Sequence, residues 1–364
     1  MKVKIFGAGS IGNHLAQASR RMGWEVVVVD PDKSALERMK SEIYPTRYGA
    51  WDENIKLFTP DIAPKGGFDV IFLGTPPHVR MQLAKEVLAE EPKILQMEKP
   101  ICTPDLLGVE DFLAELEKHE TKVVTGYDHA VSEVTEVAEN ILNSGQLGDT
   151  QVLDVEFREN WKGIFKAHPW LSGPQDSYLG FWQKGGGASG EHSHATNLWQ
   201  HLAHQMDLGR VNKVSAVMQM VKTNEVDYDQ SCFIHLITDK GFVGRVVQDV
   251  VTDPVKKSAR IQCKEGFLEL VVGYDSEGDA VLHRKSEGEI EKELVKKKRP
   301  DDFHRETLHI QDILDGKVKV EDSPISLWRG LDTMMVIAAA HKSYKEERTV
   351  TIDYTQGYNL SALK

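Results

Sequence analysis

Between an apolar run and an amphipathic run at the start of the chain, VKIFGAGSIGNHL sets Gly7, Gly9 and Gly12 in the pattern G-x-G-x-x-G. Each glycine in such a turn has its own steric task. The first permits a tight turn, the second lets backbone approach a pyrophosphate, and the third lets helix and strand pack closely. Gly7, Gly9, Ser10, Ile11 and Gly12 then open a helix whose free amides point at an anion. The spacing alone is a weak signal; its place directly between strand and helix patterns strengthens it. The next strand pattern, WEVVVVD, ends in Asp30, about 20 residues on, where an acid accepts from a ribose 2′-hydroxyl and repels a 2′-phosphate. These residues read as a dinucleotide site with NAD favoured over NADP, with Lys33 and Arg38 nearby as the counter-indication. Asp32 reads equally well as the cap of the following helix, DPDKSALERM.

The rest of the first third keeps alternating. FDVIFLGTP, KILQMEKP and KVVTGYDH are strand patterns, and HVRMQLAKEVLAE and LLGVEDFLAELEKH are helical ones. Near-continuous Val/Ile runs between amphipathic helices predict a doubly wound parallel sheet buried on both faces. Past Gly126 the character changes. TQVLDVEFREN, NKVSAVMQMV, SCFIHLITDKGFVGRVVQDVV and SARIQCKEGFLELVV alternate polar and apolar residues around short turns, which predicts an antiparallel sheet covered on one face. The charged stretch from Asp275 to Asp302 reads as a loop or a worn hairpin; HRETLHIQDILDG and SLWRGLDTMMVIAAAHKSY read as helices, and RTVTIDY as a last strand. The expected fold is α/β: an N-terminal Rossmann doubly wound parallel sheet over 1–126, then a C-terminal α/β domain over 127–364 with a large, mostly antiparallel open sheet. A C-terminal segment is free to pack back on the first domain. A chain of 364 residues is long enough for both cores.

The net charge of −12 argues against a nucleic-acid or anionic-membrane surface. The one dense basic run, Lys296 to Arg299, is followed by Asp301 and Asp302 and reads as a solvated loop. Cys102, Cys232 and Cys263 form no CxxC pair and read as reduced and structural. No apolar run reaches membrane-span length and the N-terminus enters a strand directly, so a cytoplasmic protein is expected.

QMEKPI places Glu98, Lys99 and Pro100 at the C-terminal edge of a parallel strand, where open α/β sheets bind ligands. On its own this pair reads more readily as a surface Glu–Lys pair opening a loop. The order GAGSIG, Asp30, GTPP (Gly74–Pro77), EKP, GYDHAVSE (Gly126–Glu133), SGQLGD and glycines leading into histidines resembles the Gfo/Idh/MocA family of NAD(P)-dependent sugar and cyclitol oxidoreductases, over nearly the whole chain. The resemblance implies that Thr75, Pro76 and His78 line the nicotinamide side, with Glu98 and Lys99 near the nicotinamide ribose. It implies a small-molecule carbohydrate substrate and a homodimer or homotetramer formed through the open sheet. It further implies a histidine that takes a hydroxyl proton as hydride leaves to the cofactor.

That histidine lies within GGGASGEHSHATNLWQH, Gly185 to His201. With His194 in the family's place and Asn197 in the usual H-x-x-D position, Gly190 stands where an Asp belongs. Counting from the glycines instead puts Glu191 at the acid position and Ala195 at the histidine. The reading adopted is His194 as base, Glu191 as its partner and His192 as the rival, with Lys99 completing the catalytic set. An imidazole near its ordinary pKa of ~6.5 suits this task. Arg80 and Ala130 are further departures, since many members carry His and Arg there. Tyr127, Asp128, Arg158, Trp161 and His168 are the remaining candidates for substrate contact, beside His192 and Asn197. His201 and His204 read as helix packing. No Cys or Asp completes a recognised zinc spacing around the histidines, so no metal is expected. Two rival readings stay open: NAD-assisted elimination or hydrolysis through transient oxidation, and a non-catalytic NAD- or sugar-sensing regulator.

Overall fold

Six short runs dominated by Val, Ile, Leu and Phe pair side by side in the computed structural model, which describes residues 1–298 and 300–364. They are β1 (Lys2–Phe6), β2 (Glu25–Val29), β3 (Ile55–Phe58), β4 (Val70–Leu73), β5 (Ile94–Glu98) and β6 (Lys122–Gly126), all parallel, in the order β3-β2-β1-β4-β5-β6. This is the 3-2-1-4-5-6 order of a dinucleotide-binding sheet, whose ligand crevice opens between the first and fourth strands. The sheet is flanked by α1 (Ser10–Arg21), α2 (Lys33–Arg38), α3 (Tyr44–Tyr48), α4 (Pro77–Val87) and α5 (Val109–Leu116). Strand β3 carried too little apolar signal to be read from the sequence; Lys56 is exposed and Leu57 and Phe58 are only half-buried.

The second half begins with α6 (Glu133–Asn143), β7 (Thr150–Arg158), α7 (Trp161–Lys166), α8 (Gly187–Glu191) and α9 (Ser193–Gln205). Strands β8 (Val211–Lys222), β9 (Asp227–Thr238), β10 (Val243–Asp249), β11 (Lys256–Cys263), β12 (Gly266–Asp275), β13 (Gly278–Lys285) and β14 (Glu291–Lys296) follow, then α10 (Asp301–Leu314), α11 (Leu327–Glu346) and β15 (Val350–Thr351). The nine strands form one open sheet, β14-β13-β12-β11-β7-β10-β9-β8-β15, antiparallel except where β7 meets β10. Helices α6, α9 and α11 cover one face and share its core, which includes Trp199, Leu202, Met335 and Ile337. The charged stretch after Asp275 is a regular hairpin rather than a loop. Ala280, Val281 and Val295 are buried in it, while β14 opens on Glu-Lys-Glu, a composition that keeps a terminal strand from pairing further.

Helix α10 crosses back and packs on α1, burying Phe303, Ile310 and Ile313 with Val3, Ile5 and Leu15. The Ile325 carbonyl accepts from Thr125 N at 2.8 Å. The spatial division of the two halves therefore does not follow a single cut in the chain. The three cysteines are buried and unpaired. Among the described residues no helix is long and apolar enough to cross a membrane. Arg299, the last residue of the basic run, lies outside the described residues.

Candidate active site

A cleft of about 2290 Å³ runs between the two sheets, from Asp30 at one end to His194 at the other. At the first end, Gly7 sits at φ +107°, and a Cβ on Gly12 would lie 1.9 Å from the Gly7 carbonyl oxygen, so neither position admits a side chain. Gly9 differs: a Cβ there would meet nothing within 4 Å, and its bareness leaves room at the cleft for a ligand. As N-cap of α1 it supplies no side-chain acceptor, which leaves the first-turn amides to an anion. Asp30 is held at the end of β2 by amides of Ala8 and Asp32, each 2.8 Å away. The helix cap is Asp32, which accepts from Ser34 N at 2.8 Å. Thr75, Pro76 and His78 line the cleft where β4 turns into α4. A bare cradle, an uncapped helix and a fixed carboxylate in one crevice suit NAD.

The strand-end glutamate lines the cleft with Lys99 but is largely covered. Glu98 is 5 % exposed, and its carboxyl accepts from Gln96 Nε2 at 3.2 Å. The same amide donates to Glu306 of α10 at 2.9 Å. Burial raises the Glu98 pKa to about 7, against the pull of Arg80. Gly126 is bare for the same reason, since a Cβ there would sit 2.7 Å from that carboxyl. Arg80 is itself buried and donates to the carbonyls of Thr75, Glu98 and Pro100, so it ties the ends of β4 and β5 together. The Lys99–Pro100 peptide is cis.

Lys99 crosses to the second domain. Its Nζ donates to the Glu191 carbonyl at 2.8 Å and reaches the Glu191 carboxylate at 3.2 Å. Glu191 therefore partners Lys99, and the carboxylate facing His194 is Asp128, with Oδ1 3.6 Å from Nδ1. The vacancy at position 190 has a steric cause: a Cβ on Gly190 would lie 2.1 Å from the Gly185 carbonyl oxygen. The His194 ring stands edge-on to Tyr127 and His129, at centroid distances of 5.6 and 4.7 Å, with Phe157 behind. Burial, and then the charges of neighbours including Lys99, put its pKa well below the ordinary value. Burial also lowers His192 to about 4 and His129 to about 3, so this wall is neutral imidazole at physiological pH. One donor atom each from Asp128, His129 and His194 lie within 4.8 Å of one another, the one such grouping found among the described residues that could hold a cation.

Of the other expected contacts, His168 and His192 line the cleft. Arg158 does not; it pairs with Asp249 at 2.6 Å. Trp161 packs on Phe165 and Tyr228, and Asn197 donates to Thr333 Oγ1 at 3.1 Å inside the core. His201 meets Glu139 of α6. The sequence reading missed His129, Phe157, Lys257, Asp302 and Lys297, all of which line the cleft. His129 had a signal, as the neighbour of Asp128 in GYDHAVSE. Lys297 did not: taken for part of a solvated loop, it is 19 % exposed and paired with Asp279 at 2.6 Å and Asp302 at 3.3 Å.

Comparison with known proteins bears on the fold that carries this cleft. Residues 1–127 match the model of the oxidoreductase family with an NAD-binding Rossmann fold, GFO_IDH_MocA. No curated protein matches the sequence. Among solved structures, an oxidoreductase from Agrobacterium radiobacter in complex with NAD+, L-tartaric acid and magnesium superimposes with a TM-score of 0.73 at 18 % identity, covering 96 % of this chain and 98 % of its own. The WlbA dehydrogenase from Bordetella pertussis, in complex with NADH and UDP-GlcNAcA, gives 0.69 at 17 % identity with the same coverages, 96 % and 98 %. An NAD-binding oxidoreductase from Klebsiella pneumoniae gives 0.74 at 15 % identity, again over 96 % and 98 %. At these identities the likeness is one of fold. The cofactor is NAD, and the first domain, residues 1–127, is similar to the NAD-binding Rossmann domain of the Gfo/Idh/MocA oxidoreductase family.

Proposed function

We propose that the protein moves a hydride between NAD and a secondary hydroxyl, or the matching ketone, of a polyhydroxylated substrate: a sugar, a cyclitol or a nucleotide-sugar. The observation that carries this reading is the meeting of Lys99, from the dinucleotide domain, with the Asp128–His194 pair in one cleft. NAD, when bound, accepts or returns the hydride. His194, held neutral by its surroundings, takes the hydroxyl proton, and Asp128 orients its ring and offsets the charge that forms there. Lys99, fixed by both the carbonyl and the carboxylate of Glu191, donates to the substrate oxygen. Tyr127, His129 and Phe157 hold the imidazole in place and keep water from it.

The test is NADH formation at saturating NAD across a panel of polyols. Lys99→Ala and His194→Ala should each lower kcat by about 10²–10⁴-fold while NAD still binds. If both retain full turnover, the reading fails. Turnover with no net NADH would assign transient oxidation instead. The three unpaired cysteines are in keeping with a reducing compartment, which supports a cytoplasmic location.

A further inference from the structure

The segment around α7 belongs by chain to the second domain, yet it ends on the first. Its root is secured by Asn160 N on the Thr252 carbonyl at 2.8 Å and by Trp161 N on the Val250 carbonyl at 3.0 Å. From there Ile164, with Trp161 and Phe165 packed alongside, joins a small apolar cluster with Leu179, Tyr228 and Val250, separate from both large cores. Beyond it the chain reaches over the cleft. Arg47 of the dinucleotide domain donates through Nη2 to the Ala167 carbonyl at 2.8 Å. Arg38 lies 5.4 Å from the Trp170 ring centroid, a cation–π contact.

The place of these contacts is informative. Arg47 also donates through Nη1 to the Ser10 carbonyl at 3.2 Å, so the tip is tied to the first residue of α1, where the pyrophosphate-binding turn lies. Ala167, His168 and Trp170 line the same cleft as Asp30. The exposed Lys166 and the Arg47 guanidinium bring positive charge to the part of the cleft that would take a dianion.

We propose that residues 161–171 form a latch over the pyrophosphate and adenosine-ribose part of the bound cofactor, with Arg47 and Trp170 as its two fastenings. The proposal rests on the assignment of this cleft to NAD. With the tip seated, the dinucleotide is roofed by the second domain: it enters before the latch closes and leaves after the latch lifts. NAD therefore binds before the polyol, and NADH release is paced by the latch.

The experiment is NADH dissociation by stopped-flow fluorescence on the whole protein. Arg47→Ala and Trp170→Ala should each speed release about tenfold, the scale of one lost charge-assisted or cation–π contact, while Trp170→Phe restores slow release. Trypsin cleavage after the exposed Lys162 and Lys166 should be suppressed by NAD in the wild type and not in the two alanine variants. Release rates within twofold of wild type in both alanine variants, with thermal melts showing them folded, would overturn the latch, as would equal cleavage with and without NAD. These readouts need no polyol, so failure of the dehydrogenase reading leaves them interpretable, and their failure leaves that reading standing.

Discussion

At Gly190 no side chain fits, because the Gly185 carbonyl oxygen would lie 2.1 Å from a Cβ. The carboxylate beside His194 therefore comes from elsewhere: it is Asp128, just past the end of β6. Counting along GGGASGEHSH cannot find that partner, since the two residues are far apart in sequence and meet only where the sheets face each other. Glu191, the nearest acid in the chain, points to Lys99 instead. Burial, and then the charges around it, sets the titration of the His194 ring. A histidine whose folded pKa lies below 6.5 stays neutral as pH falls past that value, so the acid limb of the rate profile should lie below pH 6.5. Lys99 is among the charges that depress it. Lys99→Met should therefore raise the His194 pKa, seen as an upward shift of its ring signals in an NMR titration of histidine-labelled protein. An unchanged or lower value would show that Lys99 does not act on this ring.

At the scale of elements, Arg80 fastens the segments that follow β4 and β5, past the last rung of their backbone ladder at Leu73 and Met97. Its guanidinium serves three carbonyls, of Thr75, Glu98 and Pro100, and thereby sets the ledge from which Lys99 projects. Arg80→Met leaves those carbonyls buried without donors and should lower stability by about 3 kcal/mol or more, measured by urea denaturation. Arg80→Lys should recover only part of this, because a single ammonium cannot reproduce the planar fork. A loss under about 1 kcal/mol for the methionine variant would mean that water replaces the guanidinium. The sequence reading marked position 80 as a departure from the family pattern but could not tell its role. An arginine on the first turn of a helix reads as solvent-facing until the strand ends close around it.

Across the whole molecule, the uncovered face of the nine-stranded sheet carries apolar residues that a monomer leaves in water. Val217 on β8 and Phe233 on β9 are register partners, 68 % and 42 % exposed. An apolar pair at that point fits a homodimer formed face to face through the open sheet. Light scattering should give twice the chain mass, and Phe233→Asp should return the monomer; a monomeric wild type would dismiss the interface. The outlines of the fold were legible because they rest on local periodicities. Val runs between amphipathic helices specify a parallel sheet, alternation specifies one covered face, and the glycine turn and Asp30 each act within a few residues of backbone. The pairing of β13 with β14 reads along the chain only as one of two alternatives, a loop or a worn hairpin, because the charged residues of the stretch outnumber its buried apolar ones. What could not be read along the chain was every relation between residues far apart in it: Asp128 with His194, Lys99 with Glu191, Lys297 with Asp279, and Arg47 with Ala167. Charge and hydrogen bonding act over a few ångströms of space, and only the folded chain, through the packing of the second half on the first and, for Lys297, the pairing of β13 with β14, brings those groups within that distance.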